Sequence, residues 1–249
     1  MLWKPCHPGT AWLYGCLLLL LVPFSQAQES YGKPEDPVAA EVMGIEVRTS
    51  NPGEMTYAID QVLMVSYAKE HGLGATDGEI RQFMARKKEM DTRTRKEAEA
   101  RRGEIQKHLQ SGGLSEDDRK RLEGEQKFLS NMLQRAQVAD TQGSDPKQTA
   151  AETQMAKAII GQWKVNKALY KKYGGRVSYQ QSGAAPLDAY YRFFKDAQKT
   201  GDLKILNKEF ESVFWNFYTD DNKHRFYPEN EKDKAINTPW WMMDPKSGQ

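Results

Sequence analysis

Beyond residue 16 the chain contains no cysteine, since its only two are Cys6 and Cys16. From there on it can form no disulfide, thiolate nucleophile or cysteine-ligated zinc. Histidine is nearly as scarce, with four in 249 residues. His71, His108 and His224 share no i, i+3 or i, i+4 spacing, so no histidine-based metal site is expected. P-loop, G-x-S-x-G and dinucleotide-type glycine patterns are missing, and no cofactor is expected. A charge excess is missing as well. Of 36 Lys and Arg only Lys4 lies in the first 27 residues, leaving 35 basic side chains against 34 acidic ones. That balance gives no attractive field for nucleic acid or anionic lipid. The basic–aromatic mixture "YYRFFK" at 190–195 does not change this, and no nucleic-acid partner is expected.

There is one long apolar run. Lys4 and His7 precede "CLLLLLV" (Cys16 to Val22); Pro23 breaks it, and "SQA" places small residues at the positions a signal peptidase reads. This is the shape of a secretory signal peptide and is too short for a membrane helix. Cleavage after Ala27 and a periplasmic or secreted location are expected, with no transmembrane segment left behind. The competing reading is a retained N-terminal anchor. Without cysteine the mature chain must rely on its core, which a chain of this length can build.

Residues 28–37 are polar and read as a flexible N-terminus. Val38 to Val47, "VAAEVMGIEV", is short, β-branched and apolar, with Gly44 at a turn or bulge. A helix from about Glu54 to His71 places Ile59, Val62, Leu63 and Tyr67 on one stripe. Gly72 suits its left-handed cap. Thr76 and Glu79 then have capping-box spacing, which starts the next helix at Asp77.

That helix, to about Gln110, is polar on nearly every side, with Ile80, Phe83, Met84, Ile105 and Leu109 as its packing residues. Gly112 and Gly113 stop it and Ser115 caps another, Glu116 to about Ala139, carrying Leu122, Leu129, Met132, Leu133 and Ala136. The pair predicts an antiparallel arm over 77–139, packed near its ends. A helix over 148–173 carries Met155, Ile159, Trp163, Asn166 and Tyr170. Arg176 to Gln181 alternates as a strand and is the expected partner of Val38–Val47. Pro186 opens a helix that Gly201 closes, and Asn207 caps one with Phe210, Val213, Phe214, Trp215 and Phe217.

Residues 38–90 resemble the N-terminal domain of SurA-type periplasmic chaperones and related parvulin-linked foldases. The likeness rests on Val42, Gly44 and Val47 in a V-x-G-x-x-V strand, on Leu63, Ala68, Gly72 and Leu73, and on Thr76, Asp77, Glu79 and Ile80. Met43 stands where that family's strand usually has Asn. The resemblance implies a helical cradle with an apolar groove for unfolded outer-membrane polypeptides. The paired histidines and glycine-rich strands of a parvulin are missing, so isomerase activity is not expected.

The expected fold is mostly α-helical, with a small two-stranded β element and a projecting antiparallel helical arm. The body comprises 38–76 and 147–206, and 207–249 is an aromatic-rich extension. Met and aromatic side chains suit surfaces that accept varied apolar partners. Leu63, Tyr67, Phe83, Met84, Trp163 and Tyr170 are the candidate peptide-binding residues, with Met64 and Met132 as further groove candidates. The leading expectation is a non-catalytic, chaperone-like protein. The alternatives are an envelope scaffold or adaptor that docks through the arm, and a hydrolase built on Asp220 or Asp221 with His224, if these converge. Arg176, Gln180 and Gln181 either line a site or satisfy backbone groups. Trp240 and Trp241 pack either internally or on a partner.

Overall fold

The computed structural model describes residues 30–141, 146–180 and 182–243. The signal-peptide reading falls outside them. No helix among the described residues is long and apolar enough to cross a membrane.

The chain is mostly helical and carries two small sheets. The first has strand order β1 (Ser30–Tyr31), β3 (Ile45–Arg48), β2 (Val38–Val42), β6 (Leu203–Ile205). Val38–Val47 is therefore a hairpin and not one strand. Met43 and Gly44 sit between the paired Val42 and Ile45 with φ of 50° and 80°. Two successive positive φ values make the tight turn whose twist suits a hairpin. Residues 30–37, read as flexible, include β1, which pairs parallel with β3. Arg48 donates to the carbonyls of Pro34 and Asp36. Gly32, at φ 98°, lies so close to the Arg48 carbonyl that a Cβ would sit 1.9 Å from its oxygen.

The expected partner for Val38–Val47 was the segment near Arg176. Instead, β4 (Ser178–Gln180) pairs with β5 (Gly183–Ala185) and bridges to Phe226, while β2 takes β6. Nearness in sequence favours β4–β5, whose hairpin closes at a much lower loop entropy than a pairing across the arm. The three residues of β6 alternate buried, exposed, buried, a pattern too short to stand out in the sequence.

Local signals set the helix ends. In α1 (Pro52–Glu70) the Asn51 side chain accepts from Gly53 and Glu54 N–H. At its other end Gly72 N–H donates to Lys69 and Leu73 N–H to Ala68. These are the paired bonds of a Schellman ending with glycine in the left-handed position. Thr76 and Glu79 then form a complete capping box on α2 (Asp77–Gln110). Such a cap stabilises a helix by ~1 kcal/mol. Gly112 and Gly113, both at φ 74°, turn the chain into α3 (Glu116–Thr141). These two helices form the arm. Ala98, Ile105 and Leu122 are buried between them, and Arg101 makes a fork of 2.8 and 3.1 Å to Glu125. Thirty-four residues make α2 about 51 Å long at the usual rise.

α4 (Pro146–Tyr173) runs through the body and touches α1, α2, α5 (Leu187–Thr200), α7 (Lys232–Asn237) and β5. The main core joins Val42 and Val47 of the sheet to Met55, Ile59 and Leu63 of α1, Leu169 of α4 and Phe194 of α5. α6 (Lys208–Thr219) adds Phe214 and Tyr218, so this part of the 207–249 extension belongs to the main core.

Candidate functional site

A second apolar cluster lies apart from the main core. The corner at Gly72–Thr76 starts α2 so that Ile80, Phe83 and Met84 share one face. Ala156, Ile159, Ile160 and Trp163 of α4 do the same at helical spacing. The two faces make a cleft. Lys164 braces it, donating to the Gly74 carbonyl at 2.8 Å and to Glu79 at 2.9 Å. Burial alone would raise the Glu79 carboxyl, but hydrogen bonds from Thr76 and Lys164 outweigh it and hold the group below its ordinary range.

The cleft is filled by the chain itself. After α7, Thr238 and Pro239 are extended and Trp240–Met242 make one 3-10 turn. Trp241 is 5% exposed and meets Phe83 and Trp163 edge to face, at centroid distances of 5.2 and 5.9 Å. Arg86 Nε donates to the Trp241 carbonyl and Trp163 Nε1 to the Ile236 carbonyl, both at 3.1 Å. The Trp240 ring lies on Gly183, where a Cβ would come within 2.8 Å of Cδ1. Its own indole N–H is buried with no hydrogen-bond partner among the described residues. An unmet buried donor costs ~1–3 kcal/mol.

The six candidate residues divide. Phe83, Met84 and Trp163 come together in the cleft. Tyr170, further along α4, donates to Asp233 of α7. Burial first, and then the Asp233 carboxylate, raise its phenol pKa. Leu63 and Tyr67 do not join them. Both are buried in the main core, where Tyr67 stacks on His71 at 4.0 Å and meets Phe193 edge-on at 5.3 Å. Met64 is buried there too. The cleft residues that the sequence did not flag are Arg86, Lys164 and Ile236. The sequence signal for Trp241 is an adjacent tryptophan pair, which by itself leaves internal packing and partner contact open.

A polar group sits at the edge of the main core. Tyr218 donates to Asp60 at 3.1 Å. Nearby, Tyr190 donates to the Asn166 oxygen, which also accepts from Gln162, while Asn166 Nδ2 donates to the Ala184 carbonyl. Burial pushes the Asp60 carboxyl up to about 7 against the pull of the Tyr218 hydrogen bond. The phenols of Tyr190 and Tyr218 are raised by burial first and the Asp60 charge second.

Asp220, Asp221 and His224 are engaged separately. Asp220 accepts from Asn222 N–H, Asp221 pairs with Arg176 at 2.7 Å, and the His224 ring meets the Phe217 carbonyl. Arg176 also forks onto Asp188, and its backbone N–H donates there. This side chain therefore ties the start of β4 to the first turn of α5. Gln180 reaches the Ser178 hydroxyl, and Gln181 lies outside the described residues. No group of three or more His, Cys, Asp or Glu among the described residues could hold a metal ion. Compared with known proteins, the chain matches no family model, no curated protein and no solved structure.

Proposed function

We propose that this chain is a chaperone-like protein of the cell envelope that binds apolar stretches of non-native polypeptide without catalysis. Outer-membrane polypeptides are the expected clients, met in the periplasm after signal cleavage. The observation that carries this reading is how the α2–α4 cleft holds its present contents. Arg86 grips the Trp241 main-chain carbonyl, Trp163 Nε1 holds the Ile236 carbonyl of α7 beside it, and Phe83 and Trp163 cage one aromatic ring. Carbonyls are common to every polypeptide, so such a grip tolerates many sequences while the cage asks for an apolar side chain. The SurA-like pattern over 38–90 supports the same reading, and the charged arm would keep a complex soluble.

The alternative is a scaffold or adaptor docking through the arm. It is favoured by the closure of both apolar clusters and by the turn 111–115 at the arm's tip, and Phe128 of α3 stands 67% exposed.

The test uses Gln28–Gln249 and a urea-diluted outer-membrane β-barrel polypeptide, with the folded barrel as control. The chaperone reading expects selective binding of the unfolded form and slower aggregation. No binding at excess protein would remove that reading and leave the adaptor.

A further inference from the structure

We infer that Pro239–Met243 is a displaceable occupant of the α2–α4 cleft, supplied by the chain itself, and that an apolar, aromatic-bearing polypeptide competes with it for the seat. The inference rests on the polypeptide-binding reading above and adds its regulation. α7 is the anchor. Its Ala235 and Ile236 are buried, and Asp233 accepts from Tyr170. Thr238 and Pro239 follow in extended backbone, with no side-chain hydrogen bond at Pro239 capping the next turn. They form a joint at which residues 240–243 can swing while α7 stays seated.

Beyond that joint the hold among the described residues is narrow. One ring, Trp241, fills the cage, and one side chain, Arg86, grips the Trp241 carbonyl. Trp240 is seated with its N–H unmet, and Met242 is 42% exposed. An incoming chain can replace each of these contacts in kind, with a carbonyl for Arg86 and a ring or aliphatic side chain between Phe83 and Trp163. Departure without replacement would bare those two rings to water, so the segment stays until a competitor arrives.

The tether makes the resident segment effective at roughly millimolar local concentration. A free competitor's apparent affinity then falls in proportion to the fraction of open clefts. Weakening only the resident, with every cleft residue left intact, should therefore strengthen binding in trans. The probe is the hexapeptide Thr238–Met243, titrated calorimetrically into Gln28–Gln249 as wild type, Trp241→Ala and Trp240→Ala. Circular dichroism checks that each variant is folded. Trp241→Ala is expected to bind the peptide at least ten-fold more tightly than wild type, and Trp240→Ala about three-fold more tightly. Should Trp241→Ala not fold, Trp240→Ala carries the same test.

Peptide affinity no higher in either variant than in wild type would overturn the inference. If the unfolded barrel still bound in that case, the chaperone reading would stand with its site elsewhere. Tighter peptide binding without any capture of the barrel would uphold self-occupancy of the cleft and remove the chaperone reading.

Discussion

The molecule has two apolar clusters, and they are assembled differently. The main core draws on the four-stranded sheet, α1, α4, α5 and α6, and includes fully buried Phe194 and Phe214. Every part of it is held by an element anchored elsewhere. In the smaller cluster only Ile80, Phe83, Ala156, Ile160 and Trp241 are buried, and Trp241 comes from a single short turn. No residue of that turn belongs to the main core. Free energies of local opening track such differences, because a segment with few buried contacts can leave without global unfolding. The first cluster holds the fold together, and the second is the seat of the binding proposed above.

Substitution separates the two. The largest effect is expected from Phe194→Ala, which empties a fully buried ring site where Tyr190, Phe193, Phe214 and Tyr218 meet. A loss of ~3–5 kcal/mol in urea unfolding is expected, spread over the whole chain. A loss confined to the cleft would break the distinction.

The next effect depends on pH and belongs to the main core alone. The Asp60 carboxyl is raised by burial to about 7, whereas in the unfolded chain it should titrate near ~3.9. Below the unfolded value both states are protonated and the group costs nothing. Between the unfolded and the folded value only the unfolded chain is ionised, so stability falls as pH rises through that window; above the folded value the native state carries a poorly hydrated charge and the loss is complete. Asp60→Asn keeps an acceptor for Tyr218 and removes that charge. Urea midpoints should show the variant more stable than the parent by ~2 kcal/mol at pH 8, after allowance for partial solvent access, with the gap closing toward pH 4. Equal pH profiles would show that Asp60 is not held in this way.

The arm sharpens the comparison from the other side, since its packing is thin and its ion pairs face water. The Arg101–Glu125 fork has side chains 45% and 33% exposed. Arg101→Ala should therefore cost ~0.5 kcal/mol, less at high salt, with the main core and cleft unaffected. A cost several times larger would mean that the arm is coupled to the body.

The corner at Gly72–Thr76 is legible because its signals are local. A glycine must follow the helix, and a threonine and glutamate must stand three apart, whatever the rest of the chain does. The arm was legible for the same reason, from the paired glycines and the all-polar helix faces. Strand pairing was not. β4 and β6 have three residues each; loop closure favours β4 with β5, whereas β6 joins β2 across the arm while burying Leu203 and Ile205, and no three-residue pattern records either. At the candidate site the α2 and α4 faces are readable from helical spacing, and Phe83, Met84 and Trp163 share one cluster. Leu63 and Tyr67 have the same spacing and the same residue types, yet they face the other cluster. Spacing defines a helix face and does not say what covers it. The occupant of the cleft was invisible because Trp240 and Trp241 sit beyond a polar stretch with no regular period.

Native-state hydrogen exchange of Gln28–Gln249, with and without the urea-diluted barrel polypeptide, tests the central claim most directly. The account predicts that amides of 240–243 exchange by local opening, well below the free energy of α1. It also predicts that the barrel changes protection in that turn and in the first turns of α2, leaving α1 and β2 as they were. Equal protection of the turn and α1, unchanged by the barrel, would mean that the cleft is simply part of one closed core.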